Sequence, residues 1–375
     1  MIKKKLSVYI HIPFCKEKCA YCDFLSFAQR DAFFGRYIDA LLNEITANAD
    51  LFRDQTVGTI FIGGGTPSVI PSIYIERIIS RVFDLFSVSE DAEITIEANP
   101  ESVSIEKLSD YKKAGVNRVS FGVQSFDDRI LKKIGRLHSA ERAEKALRDA
   151  RAAGFSNISL DLMFGLPGQT RDDLKKTLEI ATALNPEHLS CYGLILEEGT
   201  KLFQLYEQQV FEPASEAEEV EQYNFAKRFL AKNGYTQYEI SNFAKPGFAS
   251  KHNLGYWSDV PYIGFGLGAH SYIGRQRFHR TENFEDYLES DFSRKDIENL
   301  TLTDRYAEYM FLGLRKTVGV KASDFQAAFG VSVFDIYEEV IEKHSNDGML
   351  LFENGFFRLT EKGILLSNRV FADFL

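Results

Sequence analysis

Three cysteines fall within eight residues, as Cys15, Cys19 and Cys22 in a C-x3-C-x2-C loop. Thiolates are the ligands of iron–sulfur clusters. A cubane offers four irons, so three cysteines leave one iron open to a small molecule. Structural zinc is the competing chemistry, but it calls for four ligands, commonly as paired C-x2-C units. His11 offers a fourth ligand, yet the chain has no second cysteine pair. The remaining cysteine, Cys191, stands far away. Such crowding is unlike a disulfide scaffold and fits a reducing, cytoplasmic setting.

Further polar residues stand where apolar runs end. Gly63, Gly64, Gly65, Thr66 and Pro67 follow one such run. Glycines let the backbone approach a ligand closely and aim its N–H groups at it. Glu97, Gln124 and Asp161 follow three other runs, and Arg136 lies between the last two. A carboxylate accepts bonds from ribose hydroxyls, and Asp161 and Arg136 suit charged groups. Far downstream, His252, Tyr256 and Trp257 form an H-N-x-x-Y-W motif. An imidazole is a usual axial ligand of heme iron, and the two aromatic rings offer a flat apolar face. Gly264, Gly266 and Gly268 lack the helix context of a dinucleotide fingerprint; they precede His270, a second candidate imidazole.

The elements that must position these residues follow from hydrophobic periodicity. Strands are expected at Ser7–Ile12, Thr56–Ile62, Glu93–Ala98, Arg118–Val123, Ser156–Met163 and Leu189–Leu194. Helices are expected between them at Phe33–Phe52, Ile73–Phe86, Ile105–Ala114, Ser139–Ala153 and Arg171–Leu184. Six alternations predict a parallel α/β sheet, doubly wound or curled as a full or partial barrel, with ligands at the carboxyl ends of its strands. Ser215–Lys232 is an expected helix whose acidic residues Glu216, Glu218, Glu219 and Glu221 form a solvated face. Tyr235–Ile240 and Tyr262–Ile273 are expected strands. From about Asn299, helices lead into Met349–Phe352, a turn and Phe356–Leu359, the order of a small winged-helix module. The expected division is 1–235, 236–298 and 299–375.

The chain has 375 residues and a formal net charge of -10. That balance argues against nucleic acid as a partner. No run approaches the ~20 apolar residues of a membrane span, and the Lys3–Lys5 run is expected to be a solvated terminus.

At the cysteine loop the sequence resembles the radical S-adenosylmethionine superfamily. That resemblance implies a partial (βα)6 barrel and a [4Fe–4S] cluster on Cys15, Cys19 and Cys22. It also implies a reductant for the cluster and a 5′-deoxyadenosyl radical chemistry. The full set of motifs, together with Tyr9 through Cys15 and the stretch Gly135–His138, resembles the oxygen-independent coproporphyrinogen III oxidase group over almost the whole chain. From the resemblance, Tyr9, Tyr21, Gly64 and Glu97 would contact the cluster-bound S-adenosylmethionine. Gly65, Thr66, Gln124, Arg136, Asp161 and Ile195 would line a second such site. True oxidases carry a further cysteine two places after the third ligand and a long N-terminal arm. Here Asp23 and Phe24 follow Cys22, and fourteen residues precede Cys15. These features and the H-N-x-x-Y-W motif resemble the group's heme-chaperone branch, which implies heme and an acceptor hemoprotein as partners. The alternative is the oxidase's radical decarboxylation of coproporphyrinogen III.

Overall fold

Alternating β-branched and amphipathic runs fold into alternating strands and helices. The computed structural model describes residues 4–375; Lys3, at the head of the basic run, lies outside them. Strands β1 (Lys4–Ile12), β2 (Gln55–Gly64), β3 (Val88–Ala98), β4 (Arg118–Gln124), β5 (Ile158–Phe164) and β6 (His188–Gly193) pair in that order, all parallel. Helices α1 (Phe34–Asn48), α2 (Ser72–Leu85), α3 (Ile105–Ala114), α4 (Ala140–Ala152) and α5 (Arg171–Ala183) form the crossovers. This is the expected α/β barrel-type arrangement. The strands read as near-continuous apolar runs because both faces are covered. Val8, Ile10, Ile60, Ile62, Val119 and Leu162 are fully buried between helices and the inner face.

Local chemistry sets the helix ends. Ser104 caps α3 by accepting from the Lys107 N–H. Thr170 and Asp173 form a reciprocal capping box at the start of α5, satisfying amides that the first turn leaves open. The acidic run after Ser215 is helix α6 (Glu216–Lys232), with its own capping box.

The sheet continues beyond the six parallel strands at both edges. Strands β7 (Thr236–Glu239) and β8 (Asn242–Ala244) add antiparallel to β6. At the other edge β9 (Tyr262–Phe265) pairs parallel with β1, followed by β10 (His270–Ile273), β11 (Gln276–His279) and β12 (Lys295–Asn299), all antiparallel. The single strand expected over Tyr262–Ile273 is therefore two. Gly266 and Gly268 adopt φ of 103° and 65°, a region open mainly to glycine, and they fold the run back on itself. The edge is tied to α1 by a buried ion pair: Arg280 Nε lies 2.6 Å from Glu44 Oε1. The Tyr287 hydroxyl donates to Glu44 Oε2 at 2.6 Å and the Gly266 N–H at 2.8 Å.

The C-terminal module has a core of its own around Tyr306, Met310, Phe325, Ile341 and Phe357. Its elements are α8 (Leu302–Gly313), β13 (Val320–Lys321), α9 (Ala322–Phe329), α10 (Val333–Asn346), β14 (Leu350–Glu353) and β15 (Phe356–Leu359), the winged-helix order. It docks through ion pairs, Arg305 with Asp259 at 2.6 Å and Glu361 with Lys227 of α6 at 2.9 Å, and through Ile240, which packs against its core. No helix among the described residues is long and apolar enough to cross a membrane.

Candidate functional site

The cysteine loop leaves the end of β1 and is pinned at both ends. Phe14–Cys15 pairs in parallel with Phe27–Ala28, so residues 16–26 form a closed loop over the strand ends. His11 Nε2 donates to the Leu25 carbonyl at 2.8 Å, and the Tyr9 hydroxyl lies 2.9 Å from His11 Nδ1. Both ring nitrogens are thus engaged, and His11 is unavailable as a fourth zinc ligand. Burial pushes the His11 imidazole down to about 4.

Cys15, Cys19 and Cys22 line one wall of a cavity of about 360 Å³ at the carboxyl ends of the strands. Tyr21, Gly64, Gly65, Thr66, Glu97, Gln124, Arg136 and Asp161 line it too, so the structure brings together most of the residues expected around the cluster and S-adenosylmethionine. No three His, Cys, Asp or Glu side chains among the described residues converge on one point as a single ion requires. A cubane asks for something else, because each thiolate binds a different iron. The surroundings fit such a group. Thr66 Oγ1 donates to Cys15 Sγ at 3.6 Å, and Arg136 donates to Cys19 Sγ at 3.5 Å. Arg136 also donates to Asn99 Oδ1 at 2.8 Å, and the Asn99 amide donates to Thr66 at 3.2 Å. Two thiols are thus joined by one hydrogen-bond chain; burial still pushes the Cys15 thiol up, opposed by its bond from Thr66. Room is reserved beside them. A Cβ at Gly65 would meet the Phe14 carbonyl at 2.7 Å and Cys15 Sγ at 3.0 Å.

The opposite wall is charged. The Gly64 N–H donates to Glu97 Oε2 at 3.2 Å. Burial, and next the nearby Asp161 carboxylate, push the Glu97 carboxyl up to about 8. Burial raises Asp161 as well, opposed by hydroxyl bonds from Ser190 and Ser120. Between them lies Arg118, which sequence reasoning missed as a site residue. It is 2% exposed, lines the cavity and has no side-chain hydrogen bond among the described residues. A charged residue at the start of a fully buried apolar strand was its signal, since unpaired buried charge is costly. Tyr192, also missed, donates to Gln124 Oε1 at 3.2 Å. Gln124 is held at φ 67°, a strained conformation of the kind concentrated at sites.

Several expected residues lie elsewhere. Tyr9 lines a neighbouring cavity of about 720 Å³ instead of the thiol cavity. Ile195 is 70% exposed and outside both. Cys191 is buried, its thiol pushed up to about 12 by burial. The H-N-x-x-Y-W motif is split by the helix that carries it, α7 (Lys251–Tyr256). Glu93 anchors its first turn, accepting from the His252 and Lys251 N–H groups. His252 and Tyr256, four apart, share a face. His252 is 2% exposed, stacks on Phe61 with ring centroids 5.0 Å apart, and bonds Thr59 Oγ1 at 2.8 Å and the Tyr256 hydroxyl at 3.0 Å. As folded it has no free nitrogen for iron. Trp257 turns away, with the Arg315 guanidinium 4.4 Å from its ring centroid. Only Tyr256 of the three reaches the larger cavity.

The Radical SAM superfamily pattern matches residues 9–181, and the HemN C-terminal domain pattern matches residues 300–366. The heme chaperone HemW of Bacillus subtilis is 40% identical, over 98% of this chain and 99% of that one. This chain belongs to the heme chaperone HemW family. The HemW of Escherichia coli is 36% identical, over 99% and 98% of the two chains. HemW relatives therefore match from the thiol loop through the winged-helix module without a large insertion. The structure of Escherichia coli coproporphyrinogen III oxidase, a radical SAM enzyme, superposes over 99% of this chain and 90% of that one with a TM-score of 0.87; at 24% identity it shares the fold.

Proposed function

We propose that the chain is a heme chaperone: it binds heme and passes it to an acceptor hemoprotein. We propose further that Cys15, Cys19 and Cys22 hold a [4Fe–4S] cluster with exchangeable S-adenosylmethionine beside it. The end-to-end likeness to the HemW chaperones carries this reading, and the absence of a cysteine two places after Cys22 supports it over the oxidase. When bound, the cluster and S-adenosylmethionine supply reductive cleavage of the sulfonium to a 5′-deoxyadenosyl radical.

The chain's own residues prepare that site. Thr66 and Arg136 hold the thiols with hydrogen bonds. Glu97 faces the cavity as a hydroxyl partner or, once ionised, as a counter-charge for a cation. Arg118 offers a buried positive charge to a carboxylate. Tyr21 and Tyr192 add aromatic surface to the cavity lining. An external reductant and an acceptor hemoprotein are the partners this requires, and the cysteine usage supports a cytoplasmic setting. Residues 1–235 and 236–298 would hold the two sites, and 299–375 would serve as lid or docking module.

The test is a hemin titration of anaerobically purified protein of known iron and sulfide content, followed by mixing with an apo-hemoprotein. The expected results are acid-labile sulfide near that of one cluster, a saturable Soret band, and transfer of that band to the acceptor. No saturable binding would sink the chaperone reading. Protoporphyrinogen formed from coproporphyrinogen III, with reductant and S-adenosylmethionine, would instead establish the oxidase.

A further inference from the structure

The larger cavity, of about 720 Å³, lies between the cysteine loop and the β9–β10 edge of the sheet. Its volume is within the roughly 300–1,000 Å³ of pockets that bury extended organic ligands. Tyr9, Phe24, Phe27, Tyr256 and Tyr262 give it an aromatic lining. Phe24 is 63% exposed, so its ring offers apolar surface at this cavity. Lys18 supplies a cation at the rim. Lys18 and Phe24 also line the thiol cavity, so the two spaces share a wall.

One imidazole faces this cavity without obligations. The chain has seven histidines. His11, His188, His252 and His279 have both ring nitrogens engaged. His138 bonds the Val123 carbonyl and approaches Glu101, and His344 lies against Asp373, both fully buried. His270 alone is exposed, lines the cavity and has no side-chain hydrogen bond among the described residues. Its ring is nevertheless held in orientation. It pairs across the strands with His279 and stacks on that ring at 5.1 Å and 25°. The His279 ring is fixed by the Arg280 carbonyl at 2.8 Å and Asp296 at 2.9 Å.

We infer that this cavity is the heme seat and that His270 is the axial ligand of the iron, with His279 as its positioning residue. The inference rests on the heme-chaperone reading above. A neutral imidazole nitrogen donates its lone pair to the iron; one Fe–N bond forms, and no proton or electron is transferred. The tyrosine and phenylalanine rings would offer apolar surface to the porphyrin, and Lys18, which donates to the Phe24 carbonyl at 3.0 Å, would be the cation for a propionate beside the carboxylates of Asp23 and Glu282. His252 then acts at one remove, holding Tyr256 in the wall. The shared wall puts the cargo against the cysteine loop, which is the arrangement a cluster-coupled release would need.

The test uses the full-length, cluster-loaded protein under anaerobic conditions. Hemin is titrated into wild type, His270→Ala and His279→Ala, with and without free imidazole. Iron-free protoporphyrin IX is titrated in parallel. His270→Ala is expected to bind hemin about tenfold or more weakly with a displaced Soret band. Free imidazole should restore the wild-type band, and iron-free protoporphyrin IX should bind both proteins alike. His279→Ala should keep the band position and lose affinity by a few-fold. Wild-type affinity and band position in His270→Ala would overturn the assignment while leaving the chaperone reading standing. Equal loss of hemin and protoporphyrin IX binding, without imidazole rescue, would also overturn it, since the role would then be packing. Failure of wild type itself to bind hemin would defeat the reading beneath it.

Discussion

Replacing Glu97 by Gln removes a carboxyl that the fold holds in an unfavourable place. Its pKa is raised from the ordinary 4.5 to about 8 by burial and by Asp161. Between those values the folded protein binds a proton that the unfolded chain has released. Stability therefore falls as pH rises from about 4.5 to about 8 and is flat beyond. The full displacement corresponds to a ceiling of about 5 kcal/mol. Water entering the cavity reduces this, and about 1–3 kcal/mol is the realistic penalty at the effective dielectric of such sites. Glutamine can still accept the Gly64 N–H, so little is lost in exchange. Glu97→Gln should match wild type near pH 4.5 and be more stable at pH 8.5 by a few degrees, at roughly 1–3 °C per kcal/mol for a chain of this size. Thermal melts of the cluster-free, reduced protein across pH 5–9 measure the difference. A pH-independent gap between the two proteins would refute the raised pKa. The same carboxyl should lose its proton when a sulfonium or ammonium group binds beside it. Calorimetry in two buffers of different ionisation enthalpy at pH 7 should therefore show proton release in wild type and none in Glu97→Gln.

Three further outcomes follow from packing and charge. His252→Ala strands the Thr59 and Tyr256 hydroxyls and leaves a hole against Phe61. It should cost about 2–4 kcal/mol in denaturant unfolding, with any loss of hemin affinity tracking the loss of fold. Arg280→Met leaves Glu44 buried without its cation and should cost about 3–5 kcal/mol, partly recovered in the Glu44→Gln/Arg280→Met double variant. Gly65→Ala drives a methyl against the Phe14 carbonyl and Cys15 Sγ. It should destabilise by about 1–3 kcal/mol and lower iron and sulfide per chain well below wild type.

The local signals were strong where one principle acted alone. Apolar runs covered on both faces marked all six parallel strands, and the helix expected at Ile105–Ala114 is found over those residues. Cysteine spacing named the thiol loop, and residues at strand ends named most of its cavity, because parallel sheets bring those ends to one rim. What spacing could not convey was direction. Whether a histidine offers a nitrogen depends on partners far away in sequence: Thr59 for His252, Leu25 for His11. The first of those contacts makes His252 a buried support, and Trp257 packs against Arg315. Likewise Arg118 looked like one charge in a strand until the fold set it between Glu97 and Asp161. Residue type and spacing determined which chemistry the chain carries, because ligand identity and periodicity are local. Only the tertiary structure decided which imidazole is free, because hydrogen-bond satisfaction is a property of the whole packed interior.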